Sequence, residues 1–536
     1  MGVYLKGVGR SFRDLVEFIA TLPARLFGKP PLGAIGYGQA ARRGEGLSAF
    51  VVFLLVALLL RGATIGFPVI HIDEQFYLLV GDRMWQGALP FVDIWDRKPL
   101  GLFLLYAGIR LLGGEGIVQY QIVAMASVVA TSLVIYRMAR MVAGHRGALC
   151  AGAVYQACLA GFLCIGGQAP VFYNLLMALA GWGMLRIWVA ADARHLLRDG
   201  LAVMALVGLA LQIKYTVVFE GVGFGLALIW IGHRAGWHGS GGKRGRLFLA
   251  ALAWSLTALV PTLAAWGYYA AIGHGAAFFQ ANFLSIFGRH EEMGGALFRL
   301  AKEMAALTPV WLAIFWAPRV MPALPVRQAA ARGFLRYWAF VAVLGFLLFG
   351  TWYDHYVAPM LVPLLALAAP ALFAGRAAGG VGRWLTWLLI CASFAFAAGV
   401  SVANLRLHGT TAQVDEAATM IDAALDTGGE KGCLYINEGD PILYLKTHAC
   451  FATRYVFPNH LNGMVDAGAL EVSPTQEVER IMASHPQAVV MTVKPSAMPV
   501  NWQTRHLLFQ RLGRDYRLVG MARVGWRDLL VYQRKG

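Results

Sequence analysis

The stretch HIDEQFYLLVGDRMWQGALPFVDIWDRKPLG, His71–Gly101, follows directly on the apolar run SAFVVFLLVALLLRGATIGF that begins at Ser48. It carries five carboxylates, Asp73, Glu74, Asp82, Asp93 and Asp96, and an Arg97-Lys98-Pro99 cluster. The run before it has the roughly 20 apolar residues needed to cross a bilayer. The charges therefore gather where the chain first leaves the hydrocarbon. Ionisable groups at that depth are costly enough to suggest function by default.

The surrounding chain is apolar. Of 536 residues, 58% are hydrophobic and only 14% charged, against about a quarter charged in ordinary soluble domains. Mean hydropathy is +0.58. Recurrent long apolar runs overrule the several soluble domains that length alone would suggest. They imply a polytopic α-helical membrane protein of about eleven spans. After the first, the spans fall near 118–136, 148–165, 171–189, 201–213, 217–231, 247–270, 300–316, 334–351, 357–373 and 384–403, with Lys214 and Glu220 interrupting one continuous stretch.

The formal charge of +17 does not mark a nucleic-acid binder. The basic residues fall in short clusters between spans, as the positive-inside bias requires. With the N-terminus inside, the loops at 137–146, 194–198, 233–246, 319–336 and 376–383 face the cytoplasm, and all are basic. Residues 1–46 read as a cytoplasmic segment rather than a cleavable signal peptide. Within it, SFRDLVEFIATLPARLFG has the spacing of an interfacial helix. Residues 47–404 then form the membrane domain, with 67–113 as its first outer loop. From 405 to 536 the pattern changes to helix, strand, helix, strand and a closing hairpin, an extracytoplasmic α/β domain.

Cys150, Cys158, Cys164 and Cys391 fall within spans, whereas Cys433 and Cys450 lie in the outer domain. The latter pair is open to two readings, a disulfide or two free thiols, and an oxidising location favours the disulfide. No Cys or His spacing resembles a zinc site, and no metal is expected.

In the first outer loop, Asp73, Tyr77 and Gly81 share one face of a short helix. Asp73 can be read simply as its N-cap, with Glu74 as a first-turn carboxylate favoured by the dipole. Lys98 is placed either to meet a lipid phosphate or to anchor a helix end by snorkelling. Arg289 and His290 in FGRHEE can equally be a solvated cluster with Glu291 and Glu292. A transporter would instead carry its ionisable residues at midplane in broken, related halves.

The loop resembles one family. A membrane-surface Asp73-Glu74 pair, the G-x-x-P-[FY]-x-D turn GALPFVD and the D-x-KP cluster DRKP are similar to the first outer loop of GT-C glycosyltransferases. These are the protein O-mannosyltransferase and aminoarabinose-transferase type, with the bacterial galacturonosyltransferase-like members. GLALQIKYT, WYDHYVAPMLVPLLALAAPAL and YLKTHACFATRYVFPNHL extend the resemblance more loosely along the chain.

The resemblance implies inverting sugar transfer from a polyprenyl-phosphate (undecaprenyl-type) donor to an extracytoplasmic acceptor, such as lipid A, a cell-envelope glycan or a protein. By it, Asp73 is the general base and Glu74 orients acceptor or sugar. Lys98 with Arg97 binds the donor phosphate, joined by a later cation, Arg289 or else Lys214. Tyr77, Asp93, Asp96, Gln168, His355 and Tyr356 line the cavity. No cofactor beyond the lipid-linked donor is implied, and the expected setting is a monomer in a bacterial inner membrane. Two departures stand out. Gln168 in GGQAPVFYN replaces the acidic residue that many relatives carry, and Leu100 replaces a second proline. The alternative reading is a transporter or another protein that processes lipid-linked glycans.

Overall fold

The computed structural model describes residues 44–190, 193–237, 243–320, 324–373, 379–426, 432–496 and 499–536. The expected interfacial helix lies outside them. The first span is α1 (Glu45–Arg61), whose terminal charges suit the helix dipole. Leu55 and Leu59 on it are exposed, as a lipid-facing helix requires.

Two short helices follow, α2 (Ile72–Met84) and α3 (Leu100–Arg110), then a run of longer ones: α4 (Ile117–Ala139), α5 (His145–Gly161), α6 (Ala169–Ala190), α7 (Leu196–Leu211), α8 (Val218–Arg234) and α9 (Lys243–Ala271). After the one-turn α10 (Gly275–Phe279) come α11 (Met293–Ala306), α12 (Thr308–Val320), α13 (Val326–Phe349), α14 (Ala358–Leu372) and α15 (Gly379–Leu407). Among the described residues, eight helical stretches are long and apolar enough to cross a membrane. A ninth is added if α11 and α12, bent by 48° at their junction, count as one. This is fewer than the expected eleven. Helices α5 and α7, at 17 and 16 residues, are short for a full crossing. The stretch around Lys214 resolves into two helices, with Lys214 in the break between α7 and α8.

The outer domain starts with α16 (Thr411–Leu425), closed at its N-terminus by a capping box between Thr410 and Gln413. It continues through β1 (Cys433–Ile436), α17 (Ile442–Thr447), β2 (Cys450–Phe451), α18 (Asn459–Asn462), α19 (Pro474–Ala483), β3 (Ala488–Thr492), α20 (Trp502–Asp515), β4 (Tyr516–Val524) and β5 (Arg527–Arg534). The sheet order is β2-β1-β3-β5-β4. β1 is parallel to β2 and β3, β5 is antiparallel to β3, and β4–β5 form the closing hairpin. Every residue of β3 is buried, as befits a central strand covered on both faces. A disulfide joins Cys433 of β1 to Cys450 of β2.

The first outer loop forms the two short helices α2 and α3, joined by the turn that carries Asp93 and Asp96. Glu74 through Gly81 are all buried, because the outer domain closes over α2. Gln75 gives both polar ends to that domain: its Nε2 donates to Asp440 Oδ1 (3.0 Å) and its Oε1 accepts from the Ile442 amide (3.3 Å). Asp440 is held in turn by Arg527 at 2.5 Å. Phe76 meets Phe457 edge-on, and the Trp95 amide donates to the Arg454 carbonyl.

Candidate functional site

The site is built where α2 begins. Its N-cap is His71, not Asp73: the imidazole Nδ1 accepts from the Asp73 amide at 3.2 Å. That frees the Asp73 carboxylate from local capping and turns it toward the second outer loop. There Gln168 Nε2 donates to Asp73 Oδ2 (3.2 Å) and reaches His71 Nδ1 (2.7 Å). His355, from the late outer loop, stands edge-on to His71 at 6.2 Å.

Burial opposes ionisation of Asp73. The Lys98 charge, then His71, His355 and the Gln168 amide, more than offset it and hold the carboxyl well below the usual range. Lys98 has its ammonium over the Tyr77 ring at 5.2 Å. Its amide donates to Asp96 Oδ1 at 2.8 Å, which fixes the turn before Pro99.

Glu74 is the opposite case. It is fully buried, and neither carboxylate oxygen completes a hydrogen bond of normal geometry. Burial pushes it up to about 7, although the Gly167 amide, the Tyr120 hydroxyl and Arg61 draw it partly back. The second outer loop wraps it closely: a Cβ on Gly166 would fall on the Glu74 carboxylate. Arg61 pins this loop by donating to the Cys164 and Ile165 carbonyls, and Tyr106 donates to Gly167 O at 2.7 Å.

The expected cations separate into two sets. Lys214 is buried, with its Nζ over the Tyr356 ring at 3.7 Å, and burial, helped by the Lys98 charge, lowers it well below the usual lysine range. It lies within electrostatic reach of Lys98, Asp73 and Arg289. Among the described residues, neither Lys98 nor Lys214 forms an ion pair with a carboxylate. Arg97 and Arg289, in contrast, converge on one atom of the outer domain, Asp466 Oδ1, at 2.7 and 2.9 Å. Burial would raise the Asp466 carboxyl, but the two guanidinium groups hold it well below its usual range.

Asp96 is buried opposite His460, 3.6 Å away, beneath Trp95. Asp93 lies apart from Asp73. It is exposed, accepts from the Leu89 amide at 2.7 Å and borders an outer groove with Arg83 and Cys450. An apolar cleft reaches into the bundle from Tyr356 past Thr216, Phe219 and Phe346 to Glu220. Glu220 accepts from the Trp338 indole at 2.5 Å. Among the described residues, no three His, Cys, Asp or Glu side chains are arranged to hold a metal ion.

The residues that sequence reasoning missed are His71, His460 and Asp466. His71 sits beside the motif and the 71-to-73 capping distance could have flagged it. Nothing in the surrounding MVDAG marks Asp466.

With this geometry the chain matches known proteins at the level of fold. Residues 96–266 match the family model described as dolichyl-phosphate-mannose-protein mannosyltransferase. Among curated proteins no sequence matches the chain. The chain has the GT-C fold of the polyprenyl-phosphate-dependent glycosyltransferases, the class that its first outer loop resembles.

Among solved structures it is similar to ArnT from Cupriavidus metallidurans, solved bound to undecaprenyl phosphate. The TM-score is 0.57 at 16% identity, covering 91% of this chain and 98% of that one. The apo form of the same protein gives 0.57 at 15% identity, over 90% and 98% of the two chains. The oligosaccharyltransferase AglB from Archaeoglobus fulgidus, in complex with an inhibitory peptide and a dolichol-phosphate, gives 0.51 at 14% identity, over 84% and 70%.

Proposed function

We propose that the chain is an inverting glycosyltransferase that moves a sugar from a polyprenyl-phosphate donor to an acceptor hydroxyl outside the cytoplasm. The observation that carries this reading is the meeting of an ionised Asp73 with Lys98 and Lys214 under the outer domain. An acceptor O–H near Asp73 loses its proton to the carboxylate as its oxygen forms a bond to the anomeric carbon. The bond from that carbon to the phosphate oxygen breaks with inversion. The electron pair leaves on polyprenyl phosphate, where the Lys98 ammonium and Lys214, drawn to its charged form by the phosphate, meet the growing negative charge. Glu74, protonated up to about pH 7, donates a hydrogen bond to acceptor or sugar.

Of the two later cations, Lys214 is the better partner for Lys98, since Arg289 is engaged by Asp466. The cleft beside Tyr356 suits the first isoprene units of the donor. No step calls for a metal ion. The membrane domain, 47–404, makes eleven crossings if α5 and α7 span as short helices and α11–α12 as one bent one. The N-terminus is then cytoplasmic and the 405–536 domain periplasmic, in a bacterial inner membrane. The chain acts as a monomer on lipid A, a cell-envelope glycan or a protein. Turnover and flux in proteoliposomes test the class. Glycosyl transfer without solute flux is expected, and flux without transfer would mean a transporter.

A further inference from the structure

We infer that Asp466, contributed by the outer domain, is a positioning residue for the donor phosphate. It holds Arg97 and Arg289 side by side, so that their remaining N–H donors form an outer wall of the anion site behind Lys98 and Lys214. The inference rests on the reading that the bound lipid carries a phosphate.

Two guanidinium groups repel each other unless a carboxylate lies between them. Here a single oxygen, Asp466 Oδ1, takes both, at 2.7 Å from Arg97 and 2.9 Å from Arg289. The three side chains come from three parts of the chain: the first outer loop, the loop after α10, and the outer domain. Asp466 is buried and the two arginines are largely so, at 7%, 18% and 9% side-chain exposure for Asp466, Arg97 and Arg289.

The backbone enforces the arrangement. The His290 amide donates to Val465 O at 3.1 Å. Gly288 and Gly468 let the two strands of chain touch, since a Cβ on Gly468 would stand 2.6 Å from Gly288 O. One carboxylate cannot use two guanidinium forks. Arg97 meets Asp466 through Nη1 and Arg289 meets it through Nε, while Arg289 Nη2 reaches Glu291 at a loose 3.6 Å, so each guanidinium keeps N–H donors beyond the shared carboxylate. Arg97 is the chain neighbour of Lys98, and Arg289 lies within electrostatic reach of Lys214. Charged donors in that state suit a phosphate, which accepts bidentate bonds from arginine.

The test compares binding of undecaprenyl phosphate and of uncharged undecaprenol to the full-length protein in nanodiscs. Asp466→Asn is expected to weaken the phosphate at least tenfold and to leave the alcohol within twofold. Asp466→Glu, which keeps the charge, should recover part of the loss. Damage to the fold alone would weaken both lipids together and overturn the inference, as would unchanged phosphate binding. If Asp466→Asn fails to fold, Asp466→Glu is read alone: a phosphate-selective loss of threefold or more supports the inference, and no such loss overturns it. If the wild type does not prefer the phosphate to the alcohol, the donor reading fails, and this inference with it.

Discussion

Asp73 and Glu74 are chain neighbours whose acidities are pushed in opposite directions, one by cations and one by burial. Such a split suits the base and the hydrogen-bond donor that the proposed reaction needs in one site. For Glu74 the sign of the pH effect is fixed. Its folded value of about 7 exceeds the ordinary 4.5, so the folded state keeps its proton where the unfolded chain has lost it. That contribution is complete below the unfolded value and is lost as pH rises from 4.5 through 7, by roughly 3 kcal/mol. Thermal melts from pH 5 to 8 should show the wild type losing more stability across this window than Glu74→Gln. A parallel slope in both would exclude Glu74 as the titrating group. Asp73 and Lys98 were legible in the sequence because they sit within one quoted loop. Asp466 was not, because its partners are far from it in the chain.

At the scale of elements, the site depends on close packing at two glycines. A Cβ at Gly81 would lie 2.7 Å from the Tyr106–Ala107 backbone, so α2 and α3 touch there. Gly81→Ala should cost about 1–3 kcal/mol, read as a lower melting temperature in detergent. Gly166→Ala places its methyl on the Glu74 carboxylate and should lower turnover more than stability, measured as kcat against melting temperature. Three outer loops also each hold a non-glycine residue at positive φ, Phe91, Leu163 and Trp352, conformations that cost of order 1–3 kcal/mol each. The helical runs and the helix–strand order of the outer domain were readable from periodicity. The burial of α2 was not, since periodicity reports one apolar face and cannot say what covers the other.

At the scale of the molecule, the outer domain is a roof over the first loop rather than an appendage. It reaches that loop through Asp440 to Gln75, Asp466 to Arg97, and the Ala449 carbonyl to Arg83. Its own edge is stapled by the Cys433–Cys450 disulfide across 17 residues. Closing a loop of that size stabilises by about 3 kcal/mol. Cys433→Ser with Cys450→Ser should lower the melting temperature and leave turnover at low temperature largely intact. Composition gave the membrane class, while the contact of two domains distant in sequence needed the fold.

The most direct measurement is release of polyprenyl phosphate from a panel of polyprenyl-phosphate sugars by purified protein with native membrane extract as acceptor. Wild type and Asp73→Asn are compared. The expected result is release by the wild type from one donor, and a kcat lower by about 100- to 10,000-fold in Asp73→Asn with donor binding retained. Equal release by the two proteins would contradict Asp73 as the base, and no release from any donor by the wild type would contradict the transferase itself.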